Sequence, residues 1–211
     1  MENKELLADK EEFISIVKEK IKRTGVDQLL DFLETSDFFK APASTKYHNS
    51  FEGGLFKHSM NVYKRLLKHC AEEKIEVDEE SIAIVGLFHD LCKTNFYVKD
   101  FKNVKVYSET GSKYDEKGHY DWKTQEVYVV DEKFMFGHGE KSVFMLQTFI
   151  PLNTVEAQAI RYHMGGIEYG RPVDPTAMKV FSINKLALYT YLSDVEAAYN
   201  DEVGEQGAGD N

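Results

Sequence analysis

His89 and Asp90 stand side by side in the string IAIVGLFHDLCK, at the end of an apolar run. A carboxylate closing a buried segment costs several kcal/mol unless something pairs with it, and adjacent imidazole and carboxylate groups offer nitrogen and oxygen ligands to one divalent ion. Taken alone, a His-Asp dipeptide is more often a solvated helix end. Two other residues raise the metal reading: His58, just after GGLFK, and Asp194, which follows eight uncharged residues in LALYTYLSDVEAAY. Together His58, His89, Asp90 and Asp194 supply hard or borderline donors from three predicted helices, a plausible shell for Mn, Fe, Mg, Zn or Ni.

The elements that must carry these residues follow from apolar periodicity. Phe13, Ile14, Val17 and Ile21 mark a helix over 5–24, and a shorter one is expected around 28–33. The stretch 41–54 reads as a loop whose Gly53-Gly54 leads into a helix over 55–73. A buried helix is predicted over 78–92 from Ile82, Ile84, Val85, Leu87 and Phe88. Residues 95–130 alternate in short runs such as VKVY and EVYVV, which predicts an insertion of two or three small strands. Helical texture returns at 137–149, 153–163 and in one long segment over 175–199. The fold class expected is mainly α, one domain over 1–199 with an N-terminal helical extension (1–40), and a disordered acidic tail over 200–211.

Composition narrows the function. A chain of 211 residues, 42% hydrophobic, can bury a core without covalent staples. A net charge of −10 disfavours a protein that grips long nucleic acid through a basic face, while leaving small anionic substrates open. Cys70 and Cys92 lack CxxC spacing, and neither an apolar leader nor a membrane-spanning run is apparent, so a cytoplasmic location is expected. Gly-rich phosphate loops and GxSxG elbows are absent, consistent with water as the nucleophile.

Over about residues 40–199 the order H58…H89-D90…D194 resembles the HD-domain metal-dependent phosphohydrolase superfamily, with its helical-bundle fold. APASTKYHNSFEGGLFKHSMNV is similar to the start of the HD domain in bacterial 3′→5′ exoribonucleases. FHDLCK resembles the family's HD-x-GK, with Cys92 where Gly is usual. GHGEKSV and RYHMGG resemble segments that supply two more histidines in two-metal members such as the HD-GYP cyclic-dinucleotide phosphodiesterases. The resemblance implies one divalent ion held by His58, His89, Asp90 and Asp194, and a second that Asp90 bridges to His138 and His163. His138 could instead bind substrate phosphate in a one-metal enzyme, and His163 could stand behind the ligands.

The implied reaction is hydrolysis of a phosphomonoester or phosphodiester of a nucleotide-like substrate by metal-activated water, with Asp90 and Lys93 as catalytic residues. Lys93 resembles the family lysine and could equally be a solvated helix-end residue. His48 falls where the exoribonucleases carry a loop histidine, and Arg171 could meet a phosphate; an ordinary loop residue is the alternative for each. Lys93, Lys99, Lys102 and Lys105 against Asp100 make a locally basic stretch interleaved with Phe96, Tyr97, Phe101 and Tyr107, suited either to steering and stacking a nucleotide or to forming a hairpin core. The expected partner is a small phosphorylated molecule, with oligomeric state left open. Alternative functions are a 3′→5′ exonuclease on short single strands, or a catalytically retired nucleotide-sensing module.

Overall fold

The computed structural model describes residues 2–45, 49–167 and 173–202. Eight α-helices among them are α1 (Glu2–Lys20), α2 (Val26–Thr35), α3 (Gly54–Glu72), α4 (Glu79–Phe88), α5 (His138–Gln147), α6 (Thr154–Arg161), α7 (Thr176–Ile183) and α8 (Lys185–Glu196). A three-stranded antiparallel sheet, β1 (Tyr97–Tyr107), β2 (Lys113–Asp115) and β3 (Gly118–Val130), is inserted between α4 and α5 in the order β1-β3-β2. None of the described helices is long and apolar enough to cross a membrane.

Helix α4 is the central rod. Every residue from Ser81 to Phe88 is buried, and α1, α3, α6 and α8 pack around it. Its start is fixed by Asp78, which accepts from Ser81 N at 2.7 Å, with Glu79 and Glu80 favourably placed in the first turn. Gly86 lets α3 come close: a Cβ there would lie 2.7 Å from Tyr63 Cα. At the other end Asp90 leaves helical torsions (φ −104°, ψ 20°) and the chain tightens into a 3-10 turn, Leu91–Lys93. The predicted helix over 78–92 therefore stops at Phe88, and that bend brings Lys93 back over Asp90.

The N-terminal pair is part of the core rather than an appendage. Phe13 of α1 meets the rings of Phe38, Phe39, Phe56 and Phe88 at centroid distances of 5.4, 5.5, 6.4 and 6.0 Å. Burying such a ring contributes about 2–3 kcal/mol. Arg23, just after α1, donates to Glu156 Oε2 at 2.7 Å and to Pro151 O at 2.6 Å, and Ser81 Oγ donates to Glu156 Oε1 at 2.6 Å. Fully buried Glu156 thus ties α1, α4 and α6 together.

The long C-terminal helix predicted over 175–199 is two helices. Asn184 adopts extended torsions (φ −121°, ψ 97°), accepts from Ala187 N at 3.1 Å and donates to Val155 O at 2.9 Å, so its side chain caps α8 and anchors it to α6. After α8 the chain winds through a π-helical turn, Ala197–Asp201, and Glu202 is buried. Asp201 and Glu202 are folded because Arg65 binds Asp201 at 2.6 Å and Asn61 binds Glu202 at 3.0 Å, correcting the start of the expected tail at 200. Residues 203–211 lie outside the described chain.

The sheet is longer than the sequence suggests. β1 and β3 pair over eleven positions, from Tyr97↔Val130 to Tyr107↔Tyr120; Phe96, Tyr97 and Tyr107 are half-buried, the first two rings in contact with each other and the third with Tyr120, while Phe101 is 69% exposed and Trp122 49%. At the sheet's base, Phe96 O accepts from Asp131 N at 2.9 Å, and Lys141 of α5 sits 4.9 Å from the Phe96 ring. Two lysines of the basic stretch are matched within the sheet, Lys99 by Glu126 of β3 at 2.9 Å and Lys105 by Asp115 of β2 at 2.5 Å.

Candidate metal centre

Helix α3 delivers His58 fully buried between two carboxylates. Its Nε2 lies 3.0 Å from Asp194 Oδ1 of α8 and its Nδ1 3.0 Å from Glu202 Oε1. Asn61, one turn along α3, donates to the same Glu202 oxygen at 3.0 Å and fixes it. At the end of α4, His89 Nδ1–H donates to Gly86 O at 2.9 Å, since a carbonyl can only accept, and that leaves Nε2 facing inward. The two Nε2 atoms are 3.3 Å apart, and each is 3.7 Å from Asp90 Oδ2.

Asp90 is the hub. Its Oδ2 receives Lys93 Nζ at 2.6 Å, and its Oδ1 accepts from His138 Nε2 at 2.7 Å. Gly139 places His138 there by allowing the start of α5 against the carbonyls of Arg161 and Ile160, where a Cβ would collide. His163, just past α6, donates from Nδ1 to Ile160 O at 2.7 Å; its buried Nε2 lies 3.4 Å from Asp90 Oδ1 without a hydrogen-bond partner. Cys92 Sγ lies 3.3 Å from His138 Nδ1 and 3.5 Å from its Nε2. The donors form overlapping groups that could hold a metal: His58, His89 and Asp194; His89, Asp90 and His163; Asp90, Cys92 and His138.

The electrostatics are those of carboxylates seeking cations. Burial works to raise Asp90, yet Lys93, His89 and His138 hold it well below the usual carboxylate range. Asp194 is likewise lowered against its burial by His58. Burial opposes a proton on His58, but the hydrogen bonds to Asp194 and Glu202 outweigh it and raise the imidazole to about 10. His138 is raised to about 10 beside Cys92 and Asp90, again against burial. Burial pushes His89 down to about 3, so it is neutral at pH 7 with a lone pair available. Lys93 is raised despite its burial by Asp90. Metal ligands must shed such protons, so any cation binding here would exchange protons for metal.

The structure brings together all six residues expected as ligands, His58, His89, Asp90, His138, His163 and Asp194, and sets Lys93 on Asp90. Lys99 lies on the exposed sheet with Glu126. His48 and Arg171 lie outside the described residues. Sequence reasoning missed Glu202 and Asn61. Glu202 sits in an acidic run whose composition resembles solvated chain, and Asn61 is the residue one helical turn beyond His58, the signal that could have found it.

Comparison with known proteins gives two findings. The HD domain family model matches residues 55–189, a span that includes five of the six expected ligands and ends before Asp194. A segment of 64 residues is 38% identical to a dihydroneopterin 2′,3′-cyclic phosphate phosphodiesterase of Methanocaldococcus jannaschii, covering 28% of this chain and 26% of that protein. No solved structure matches.

Proposed function

Because this chain belongs to the HD domain family, we propose that it is a metal-dependent phosphohydrolase acting on a phosphomonoester or phosphodiester of a small, nucleotide-like substrate. One observation carries the reading: His163 Nε2 is buried, unpartnered and turned toward Asp90 at 3.4 Å. An imidazole nitrogen left so in a dry site costs about 1–3 kcal/mol, which a bound cation would recover. The orientation of His58, His89 and His163 supports it, because each has Nδ1 against an oxygen and Nε2 directed to the same small space.

In this reading His58, His89, Asp90 and Asp194 would hold one divalent ion, and Asp90 would be shared with a second that His138 and His163 would hold. Cations bound there would supply Lewis acidity toward the phosphoryl group and lower the pKa of a water nucleophile. Mixed imidazole and carboxylate donors suit Mn, Fe, Ni or Zn, and suit the oxygen-seeking Mg least. Asp90 is the catalytic carboxylate because both positions depend on it. Lys93, buried against Asp90, keeps that carboxylate ionised and sets a fixed cation beside the reacting phosphate. His138, whose side chain is 27% exposed, lies where the site opens to solvent and substrate would enter. Lys99, His48 and Arg171 serve as outer substrate contacts.

The named substrate of the M. jannaschii relative is a 2′,3′-cyclic phosphate, a small phosphodiester, and the net charge of −10 agrees with a compact ligand better than with a long polymer. The test is a panel of 2′,3′-cyclic nucleotides, nucleoside monophosphates, cyclic dinucleotides, short single-stranded RNA and a chromogenic phosphodiester, assayed with Mn and with Ni. Turnover of a small nucleotide ester is expected, with loss by about a hundredfold or more in both His89→Ala and Asp90→Ala. Turnover unchanged in those two variants would overturn the reading, and turnover of RNA alone would redirect it to an exonuclease.

A further inference from the structure

Cys92 occupies a place in the centre that hydrogen bonding alone does not explain. Its residue is 2% exposed, and its backbone N–H donates at 3.1 Å to Ser142 Oγ of α5, itself fully buried, so the thiol is held in place. Its Sγ lies 3.3 Å from His138 Nδ1 and 3.5 Å from Nε2, and the donors of Asp90, Cys92 and His138 all lie within 4.8 Å of one another. In a tetrahedral site with metal–nitrogen bonds of about 2.0 Å and metal–sulfur bonds of about 2.3 Å, sulfur and nitrogen donors stand about 3.5 Å apart. The 3.5 Å from Sγ to His138 Nε2 equals that length, and the side chains would re-aim by rotation to share one ion. A second, independent feature points to a ligand here: the buried, unpartnered Nε2 of His163 faces the Asp90 oxygen that His138 also touches, and the His138 and His163 rings are 5.4 Å apart.

We propose that Cys92 is itself a metal ligand, supplying sulfur alongside His138 and Asp90 to the second cation position, and that it sets this position's preference toward thiophilic ions such as Zn, Fe or Co over Mg and Mn. The inference rests on the metal-dependent phosphohydrolase reading and adds an unequal pair of sites to it. The first position, with imidazole and carboxylate donors, takes a broad range of divalent ions; the second, with sulfur, narrows the choice. On binding, the Cys92 S–H proton passes to solvent and the thiolate donates its electron pair to the metal, so charge and atoms balance without any redox change.

The experiment is Co(II) titration of the metal-free full chain, read by absorption and by equilibrium stoichiometry, in wild type, Cys92→Ser, Cys92→Ala and Cys70→Ser. Wild type and Cys70→Ser are expected to develop a thiolate-to-cobalt charge-transfer band with the second equivalent. Both Cys92 variants are expected to lose the band and to bind the second Co(II) or Zn(II) about tenfold or more weakly, with little change for Mn(II). Two bound Co(II) without the band in wild type, or a band that survives in Cys92→Ser, would overturn the role of Cys92 and leave the phosphohydrolase reading standing. A wild-type chain that binds no divalent ion would overturn both.

Discussion

The helical body and the β insertion use charge in opposite ways. In the body, charged and polar groups are buried and interlocked: Lys93, His138 and His163 converge on Asp90, and Arg23 and Ser81 converge on Glu156. In the sheet, the ion pairs are local and exposed, and β1 and β3 bond chiefly to each other. Dry charges are expensive unless every one is matched, so the body's residues constrain one another; wet charges are worth little and are individually dispensable. Chemistry belongs where matching is obligatory. The sheet, which joins the Lys93 turn to the start of α5, can change its surface charges at little cost to stability.

Substitutions that strip a buried partner should break this contrast most visibly. Asp90→Asn is expected to abolish cation binding and lower turnover by about a hundredfold or more, as read by metal analysis and single-turnover kinetics. Glu156→Gln leaves Arg23 and the α4–α6 junction poorly matched, and should cost about 3 kcal/mol in chemical denaturation while leaving the metal donors chemically intact. Glu202→Gln keeps a hydrogen-bond acceptor for His58 but removes its charge, so affinity for the first metal should fall about tenfold with little loss of fold, as measured by competition titration.

Acidity offers a finer test. His58 and His138 hold protons up to about pH 10 in the metal-free chain, and a bound cation must expel them. Affinity should therefore rise with pH by up to about tenfold per unit for each proton released, level off near pH 10, and weaken as pH falls. Titrations at two or more pH values with proton-release calorimetry would read it. A flat profile would mean that those imidazoles lie outside the exchange. On the sheet, Lys99→Ala, Lys102→Ala and Lys105→Ala combined should leave the denaturation midpoint nearly unchanged and raise the nucleotide KM severalfold. An unchanged KM would confine substrate recognition to the body.

The sequence was most readable where chemistry and periodicity coincide. His89-Asp90 at the end of an apolar run, His58 after a Gly-Gly helix start and Asp194 on an uncharged face stand out because each is an expensive choice for its position. The cluster of six follows from those together with the family strings. Less readable were features created by contacts between distant segments. The break at Asn184 depends on Val155 O, which local helical periodicity cannot reveal. Lys99 is cancelled by Glu126 only through strand register, and Phe13 becomes core only when Phe38 and Phe88 surround it. Glu202 was hidden for the same reason, being acidic and near a Gly-rich stretch, with its burial decided by His58 and Asn61.

That last contact has a consequence for the order of events during synthesis. His58 and its acceptor Glu202 are separated by 144 residues of chain. A ribosome emitting the polypeptide exposes His58, His89 and Asp90 well before it releases the carboxylate that orients the first of them. The N-terminal helices can collapse around Phe13 while the centre still lacks one wall, and a closing segment then locks His58 in its working orientation. Assembly of the centre is thereby postponed until nearly the whole described chain has emerged, so a half-made polypeptide carries the donors without the geometry that gathers them.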